Sequence, residues 1–386
     1  MESVSIIDDL KLRAGWGRTG NQNGIPNYIK YGLTGYTRRE VTNPRSGPAT
    51  YQITLGNKDL RWETTDQTNI GIDLSLLDSK INVTLDAYKK KTSDLLINVQ
   101  LPQSIGLPNI LTNAGDMENK GVELNLSTVN IDKTVTWTTD FNISFNRNEV
   151  TAINKNLSSV YYFGRVYSNN QDVVLVKPGF ALGTFYGYIS DGVNPETGDI
   201  VYRDRDNNGI INADDRTIIG NAQPDFVYGL TNTIGYERWS LNVFFQGSQG
   251  NDIYNATRVD LEGMFDSKNQ STAVLNRWTP TNTITDIPRA GNIDNVNNSS
   301  RFVEDGSYLR LKSITLSYNV NTDLLNKIGI QKLSIYGTGQ NLLTFTKYSG
   351  FDPEVNAFGQ SATVLGVDYG TYPQARTIIF GLNMEF

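Results

Sequence analysis

An antiparallel transmembrane β-barrel wall is the fold class that this sequence predicts, on three observations. Apolar and polar residues alternate with period two along much of the chain, and short and long polar connections alternate between the resulting strands. The last strand ends on an aromatic residue. Successive side chains of a strand point to opposite faces. One polar face therefore fits either a water-backed sheet or a wall with lipid outside and a wet lumen inside.

The strands read in order as follows. Leu10, Leu12, Ala14 and Trp16 alternate with Lys11, Arg13 and Gly15. Ile70, Ile72, Leu74 and Leu76 form the next apolar set, then Ile81, Val83, Leu85 and Ala87, then Val122, Leu124 and Leu126. Trp137, Phe141, Ile143 and Phe145 follow. Phe226, Tyr228 and Leu230, then Trp239, Leu241, Val243 and Phe245, continue the pattern. Ile314, Leu316 and Tyr318 come next, with Leu333 and Ile335 after them. Between Leu309 and Tyr318 the phase slips by one near Lys312-Ser313, which a β-bulge would absorb. The count is about ten strands.

The connections decide between the two readings. Leu76 and Ile81 are bridged by Leu77-Asp78-Ser79-Lys80, Asn130 and Val135 by Ile131-Asp132-Lys133-Thr134, and Tyr236 and Trp239 by Glu237-Arg238. Val320 to Ile330 is a polar link with room for a helical turn at Asp323 to Ile328. Between these lie long polar stretches, Asn21–Arg61, Asn98–Thr112, Ala152–Pro224, Gly250–Ser300 and Thr346–Ala375. Outer-membrane barrels sort their connections in this way, with short periplasmic turns and long extracellular loops. A soluble sandwich has no reason to do so.

At the C-terminus Ile378, Phe380, Leu382, Met384 and Phe386 share one face, opposite Thr377, Gly381, Asn383 and Glu385. Phe380, Gly381, Leu382, Met384 and Phe386 match the terminal signal read by the outer-membrane insertion machinery, although Ile379 stands where a polar residue is usual. An ordinary terminal strand would have the same alternation.

Composition narrows the function. The 386 residues carry 34 Lys+Arg and 40 Asp+Glu, a net charge of -6, which gives nucleic acid no basic footprint to bind. Histidine and cysteine are both absent, so within this chain no Ser-His-Asp or His-based metal hydrolysis, thiolate site or disulfide framework is available, and the commonest zinc ligand is missing. The expectation is a chain that is not an enzyme. No segment approaches the roughly 20 apolar residues of a membrane-spanning helix. The first nine residues, MESVSIIDD, lack the basic and apolar regions of a signal peptide. An export signal is thus expected outside the chain.

Specific strings then carry a resemblance. Leu10 to Gln22 (LKLRAGWGRTGNQ), Leu60 to Thr65 (LRWETT) and Asn113 to Glu123 (NAGDMENKGVE) are similar to barrel strands of the SusC/RagA family. Asp305 to Lys312 (DGSYLRLK), Gly339 to Tyr348 (GQNLLTFTKY) and Ser349 to Val355 (SGFDPEV) extend the likeness in family order over nearly the whole chain. The resemblance implies a TonB-dependent transporter in the outer membrane of a Gram-negative, Bacteroidetes-type cell, a barrel of about 22 strands around a plug. It also implies a SusD-like surface lipoprotein as lid, and import of oligosaccharides, or peptides in some members, energised through TonB. On that reading residues 1–386 are the C-terminal portion of the barrel, in contact with outer-membrane lipids and the assembly machinery. The plug, the TonB-contacting segment and the signal peptide lie outside them. An outer-membrane adhesin or interaction barrel without energised transport is the alternative.

One further motif stands in the connection before Phe226. Asp204, Asp206 and Asn208 occupy positions one, three and five of an EF-hand-like or dockerin-like Ca2+ loop, with Gly209 for the sharp turn and Ile210 offering its carbonyl. Asn212 would act through water, and Asp215 takes the place of the bidentate Glu. Counting strands back from Phe386 puts this loop on the extracellular side, where Ca2+ would stiffen it in a structural role. The same residues also suit an Asx-rich turn without an ion. Tyr161, Tyr162, Phe163, Tyr254, Phe265 and Trp278 are candidates to stack on sugar rings, with packing inside the loops or an interfacial aromatic girdle as the alternative. No substrate contact can be assigned from sequence.

Overall fold

The computed structural model describes residues 6–38, 48–101, 103–107, 109–153, 161–166, 169–321, 330–359, 361 and 363–385. Ten strands make one sheet in chain order. They are β1 (Ile7–Asn21), β2 (Glu63–Leu76), β3 (Ile81–Gln100), β4 (Asn109–Asp132) and β5 (Val135–Ile153). The second half is β6 (Phe226–Tyr236), β7 (Trp239–Gln249), β8 (Tyr308–Asn319), β9 (Lys332–Thr346) and β10 (Thr377–Glu385). Every pair is antiparallel, and β1 and β10 are the two edges. The shortest strand has nine residues and the longest 24, enough for a tilted strand of about 9–11 residues to cross a bilayer.

Register turns the period-two pattern into a belt. Leu10, Leu74, Val83, Leu126, Phe141, Leu230, Phe245, Leu311 and Leu343 are successive partners across nine strands. The neighbouring row, Lys11, Asp73, Thr84, Asn125, Asn142, Gly229, Gln246, Arg310 and Thr344, lies on the other face. Among the described residues no other part of the chain covers much of the apolar face: Phe380 is 84% exposed and Ile70 62%. Aromatic residues border the belt. Trp239 and Tyr318 rings lie 4.7 Å apart near the tight turns, and Phe145 and Phe226 5.5 Å apart at the opposite end. An apolar band between two aromatic girdles is the outer surface of a membrane barrel.

The expected slip in β8 is present. Phe244 pairs with Ser313 while Phe245 pairs with Leu311, leaving Lys312 as the bulged residue. The bulge keeps Leu309 and Leu311 on the same face as Ile314 and Leu316. Two expectations about connections need correction. The stretch Asn98–Thr112 is about half strand, because β3 runs to Gln100 and β4 starts at Asn109. Ile97, Val99 and Ala114 are buried there against Val150, Ile153, Val176 and Leu182, so packing extends the hairpin beyond the belt. Only residues 101–108 connect the two strands, fewer than the link 320–331 at the other end, so length does not alternate without exception. The proposed turn at Asp323 to Ile328 lies outside the described residues.

Tyrosine rings lie over glycines at three directly paired positions, Tyr88 on Gly121, Tyr228 on Gly247 and Tyr336 on Gly381. A side chain at any of these glycines would enter the ring. Each ring thus covers backbone that glycine leaves bare. Replacing Gly381 by Val should destabilise the wall by about 1–3 kcal/mol through overpacking. Adding Tyr336→Ala should recover most of the loss. Heat-modified mobility of the folded barrel on a gel measures both variants.

Candidate functional site

Beyond the girdle distal to the tight turns, three long connections fold together. The segment between β5 and β6 supplies strands Tyr161–Val166, Gln171–Val176, Thr184–Gly187 and Thr217–Asn221, which form a four-stranded sheet. The segment between β7 and β8 supplies Asp252–Asn255, the helix Thr257–Gly263 and Val303–Asp305. The one between β9 and β10 adds Val367–Asp368, which pairs in parallel with Tyr254 and Asn255. Their shared core holds Val166, Val173, Val174, Phe185, Tyr254, Val259, Val296, Phe302, Val364 and Val367. The largest buried cluster therefore sits in this loop domain and not in the wall, whose apolar face is open.

Three of the aromatic candidates have packing or hydrogen-bond partners within the loops. Tyr254 is fully buried and donates its hydroxyl to Asn298 Oδ1 at 2.9 Å. Phe265 packs against the same core, and Trp278 donates its indole N–H to the Pro195 carbonyl at 3.0 Å. All three hold the loops together. Tyr161, Tyr162 and Phe163 lie in a strand, and their side chains are outside the described part.

Polar hubs absent from the sequence reading connect the segments. Asn298, 1% exposed, accepts from Tyr254 and Asn169 and donates to the Asp172 carbonyl at 3.0 Å. Asp199 accepts from Arg289 at 2.7 Å, Asn292 at 2.8 Å and Asn295 at 3.2 Å. Burial raises its carboxyl, but these donors outweigh it and hold the pKa below the usual range. A scatter of Asn and Asp in a polar stretch gave no signal of this partnership, because its members are up to about a hundred residues apart.

The loop domain is tied to the wall by a buried ionic cluster. Arg310 of β8 is 2% exposed on the polar face. It reaches Asp352 Oδ1 at 2.5 Å and Glu354 Oε2 at 3.2 Å, both from the last long loop. Glu354 also accepts from Tyr308 Oη at 2.9 Å and lies 3.5 Å from Lys312 Nζ. Asp352 accepts from the amides of Glu354 and Gln374 at 2.9 and 2.8 Å. Burial disfavours its charge, yet Arg310 and the two amides prevail and lower its pKa. Both halves lie within strings that carry the family resemblance, but nothing in either string tells that they meet.

Three of the six candidates in the Asx-rich loop are carboxylates, and the structure brings these together. Carboxylate oxygens of Asp204, Asp206 and Asp215 lie within 4.8 Å of one another. Asp215 is buried and accepts from the amides of Arg205 at 2.7 Å and Asn212 at 2.8 Å. Asp204 accepts from the Gly209 amide at 2.7 Å, the main reason its carboxyl titrates below the usual range. Asn208 Oδ1 takes the Ile210 amide at 2.7 Å, and Asn212 caps the short helix Ala213–Asp215. The Ile210 carbonyl accepts from Asn212 Nδ2 at 3.3 Å. At the C-terminus Phe380, Leu382 and Met384 line up on the exposed apolar face and Gly381 on the other. Phe386 lies outside the described residues.

Residues 3–342 match the family model described as TonB dependent receptor-like, beta-barrel. The chain belongs to that family. TonB-dependent receptor P3 of Formosa agariphila is 35% identical over 408 residues, covering 100% of this chain and 40% of that protein. TonB-dependent receptor SusC of Bacteroides thetaiotaomicron is 31% identical, covering 100% and 38%. A solved structure described as the RagAB peptide transporter superposes with a TM-score of 0.85 at 26% identity, covering 100% and 41%. The kinship with SusC and RagA therefore holds, and these relatives are receptors and transporters, not enzymes. The chain spans about two fifths of the length of the curated relatives it matches.

In this TonB-dependent receptor barrel the Arg310 cluster should be the weak point of the loop domain. Arg310→Met leaves Asp352 and Glu354 without their buried cation and should cost about 3–5 kcal/mol. Thermal unfolding followed by proteolysis of the loops reads that loss. Because Asp352 titrates below its unfolded value of about 3.9, its contribution is present above that pH and fades as the pH falls further. Loop protection should therefore drop below about pH 4 and be insensitive between about pH 5 and 8.

Proposed function

We propose that this chain is the C-terminal wall and extracellular loop domain of a TonB-dependent nutrient importer in a Gram-negative outer membrane. The observation that carries the reading is an uncovered apolar sheet face in a member of this family, joined to a separately packed loop domain at one end. Lipid accounts for the first and the cell exterior for the second. The edges β1 and β10 must pair with further strands of the parent protein, since an unpaired ladder in hydrocarbon is costly. Energy would come through TonB by way of the parent's N-terminal part.

The substrate proposed is an oligosaccharide, gathered with a SusD-like lipoprotein acting as lid over the loop domain. A peptide is the second reading, favoured by the likeness to a structure described as a peptide transporter. Uptake of labelled oligosaccharide and peptide pools by cells expressing the parent gene, with and without tonB and the adjacent lipoprotein gene, separates these. Import should vanish without TonB. Import that persists would leave the adhesin or interaction barrel as the reading.

The Asx-rich loop is proposed to hold Ca2+ through Asp204, Asp206 and Asp215, with Asn208, the Ile210 carbonyl and Asn212 completing the shell. Its clustered hard oxygens support this, since Ca2+ takes six to eight oxygen ligands at about 2.3–2.6 Å. Occupancy would be structural. Added Ca2+ at about a hundredfold over its dissociation constant should stabilise the loop by about 2.7 kcal/mol, read as protease protection. Mg2+ should not replace it, and Asp206→Asn should abolish the effect. Protection unchanged by chelation would leave only the Asx turn.

A further inference from the structure

We propose that the outer face of β3 to β5 binds the phosphate of an anionic outer-leaflet lipid through Lys89, Lys120 and Arg147. The proposal rests on the reading of that face as lipid-facing. On β3 to β5, Ala87, Val122 and Phe145 form the last apolar row before the loop end, each the direct partner of the next. Two residues further along each strand, on the same face, stand Lys89, Lys120 and Arg147, again direct partners. Trp16 and Thr68 continue the row on β1 and β2. Three cations thus sit side by side at the rim of the belt, where headgroup phosphates meet acyl chains.

Like charges directly opposite on neighbouring strands are destabilising, with side-chain origins about 5 Å apart. The chain offsets this only in part. Lys89 Nζ meets Glu118 at 2.9 Å and Arg147 meets Asp225 at 2.8 Å. Glu118 stands one row further from the belt, and Asp225 lies before the start of β6. Lys120, in the middle, is exposed, and among the described residues no carboxylate lies within ion-pair distance of it. Lys91, also exposed, occupies the next row on the same face. Carboxylates therefore lie on the aqueous side of the cation row, and its hydrocarbon side has none. A phosphate with acyl chains running down over Ala87, Val122 and Phe145 meets both the charge and the apolar surface. A free phosphate meets only the charge.

Native mass spectrometry of the full-length parent protein, delipidated in detergent, tests this with defined probes. Bisphosphorylated lipid A and phosphatidylglycerol should be retained over phosphatidylcholine, and inorganic phosphate at the same concentration should not compete. Lys89→Gln/Lys120→Gln should lower lipid A retention about tenfold. Lys120→Arg should keep it, and Lys332→Gln near the tight turns should leave it unchanged. Equal retention of phosphatidylcholine, an unaffected double variant or displacement by inorganic phosphate would overturn the proposal. A spin label at Leu85→Cys separates the two failures. Oxygen-accessible label with no headgroup preference defeats the phosphate site alone, whereas water-accessible label defeats the lipid-facing wall beneath it.

Discussion

The backbone ladder between neighbouring strands sets the terms for everything else in this molecule. In hydrocarbon no water is available for an amide or a carbonyl, so each must find its partner on the next strand. Unbroken antiparallel pairing from β1 to β10 meets that demand at every internal strand. Once the pairing is continuous, side-chain direction is fixed, and a one-residue slip would invert both faces of a strand. The bulge at Lys312 is where the chain corrects such a slip and returns β8 to the common belt.

A wall of this kind has no interior of its own in this chain. Within the belt its apolar residues face outward, and the close packing expected of a folded protein is found in the loop domain, around Phe185, Tyr254 and Phe302. That displacement explains why the long polar connections are not loose. They carry short strands, a helix and hydrogen-bonded hubs such as Asn298. The Arg310–Asp352–Glu354 cluster joins the two regions from the polar face of β8. A buried ion pair contributes little net stability against an apolar substitute. Its geometry fixes where the last loop lies against the wall.

Much of this was legible in the sequence, for identifiable reasons. Alternation exposed the ten strands because one face of each had to suit lipid, and the slip at Lys312-Ser313 was visible as a break in that alternation. The extended hairpin beyond Thr92 was not, since the run Leu95-Leu96-Ile97 loses period two where packing comes from the loop domain. For Tyr254, Phe265 and Trp278 the sequence left stacking on sugar and packing inside the loops both open, because the segments around them are polar and show no periodicity. At the Asx-rich loop, spacing found Asp204, Asp206 and Asp215, but could not tell that Asp215 and Asn212 also cap a short helix.

Fold class, strand order and family were thus determined by the sequence alone. They depend on local periodicity and on strings that any reader of the chain meets consecutively. The loop-domain core, the Arg310 cluster and the row Lys89–Lys120–Arg147 were decided only by tertiary structure. Each joins residues from different strands or loops, and their meeting depends on register and on three long connections folding against one another. Periodicity says which way a side chain points; only the pairing of strands says what stands beside it.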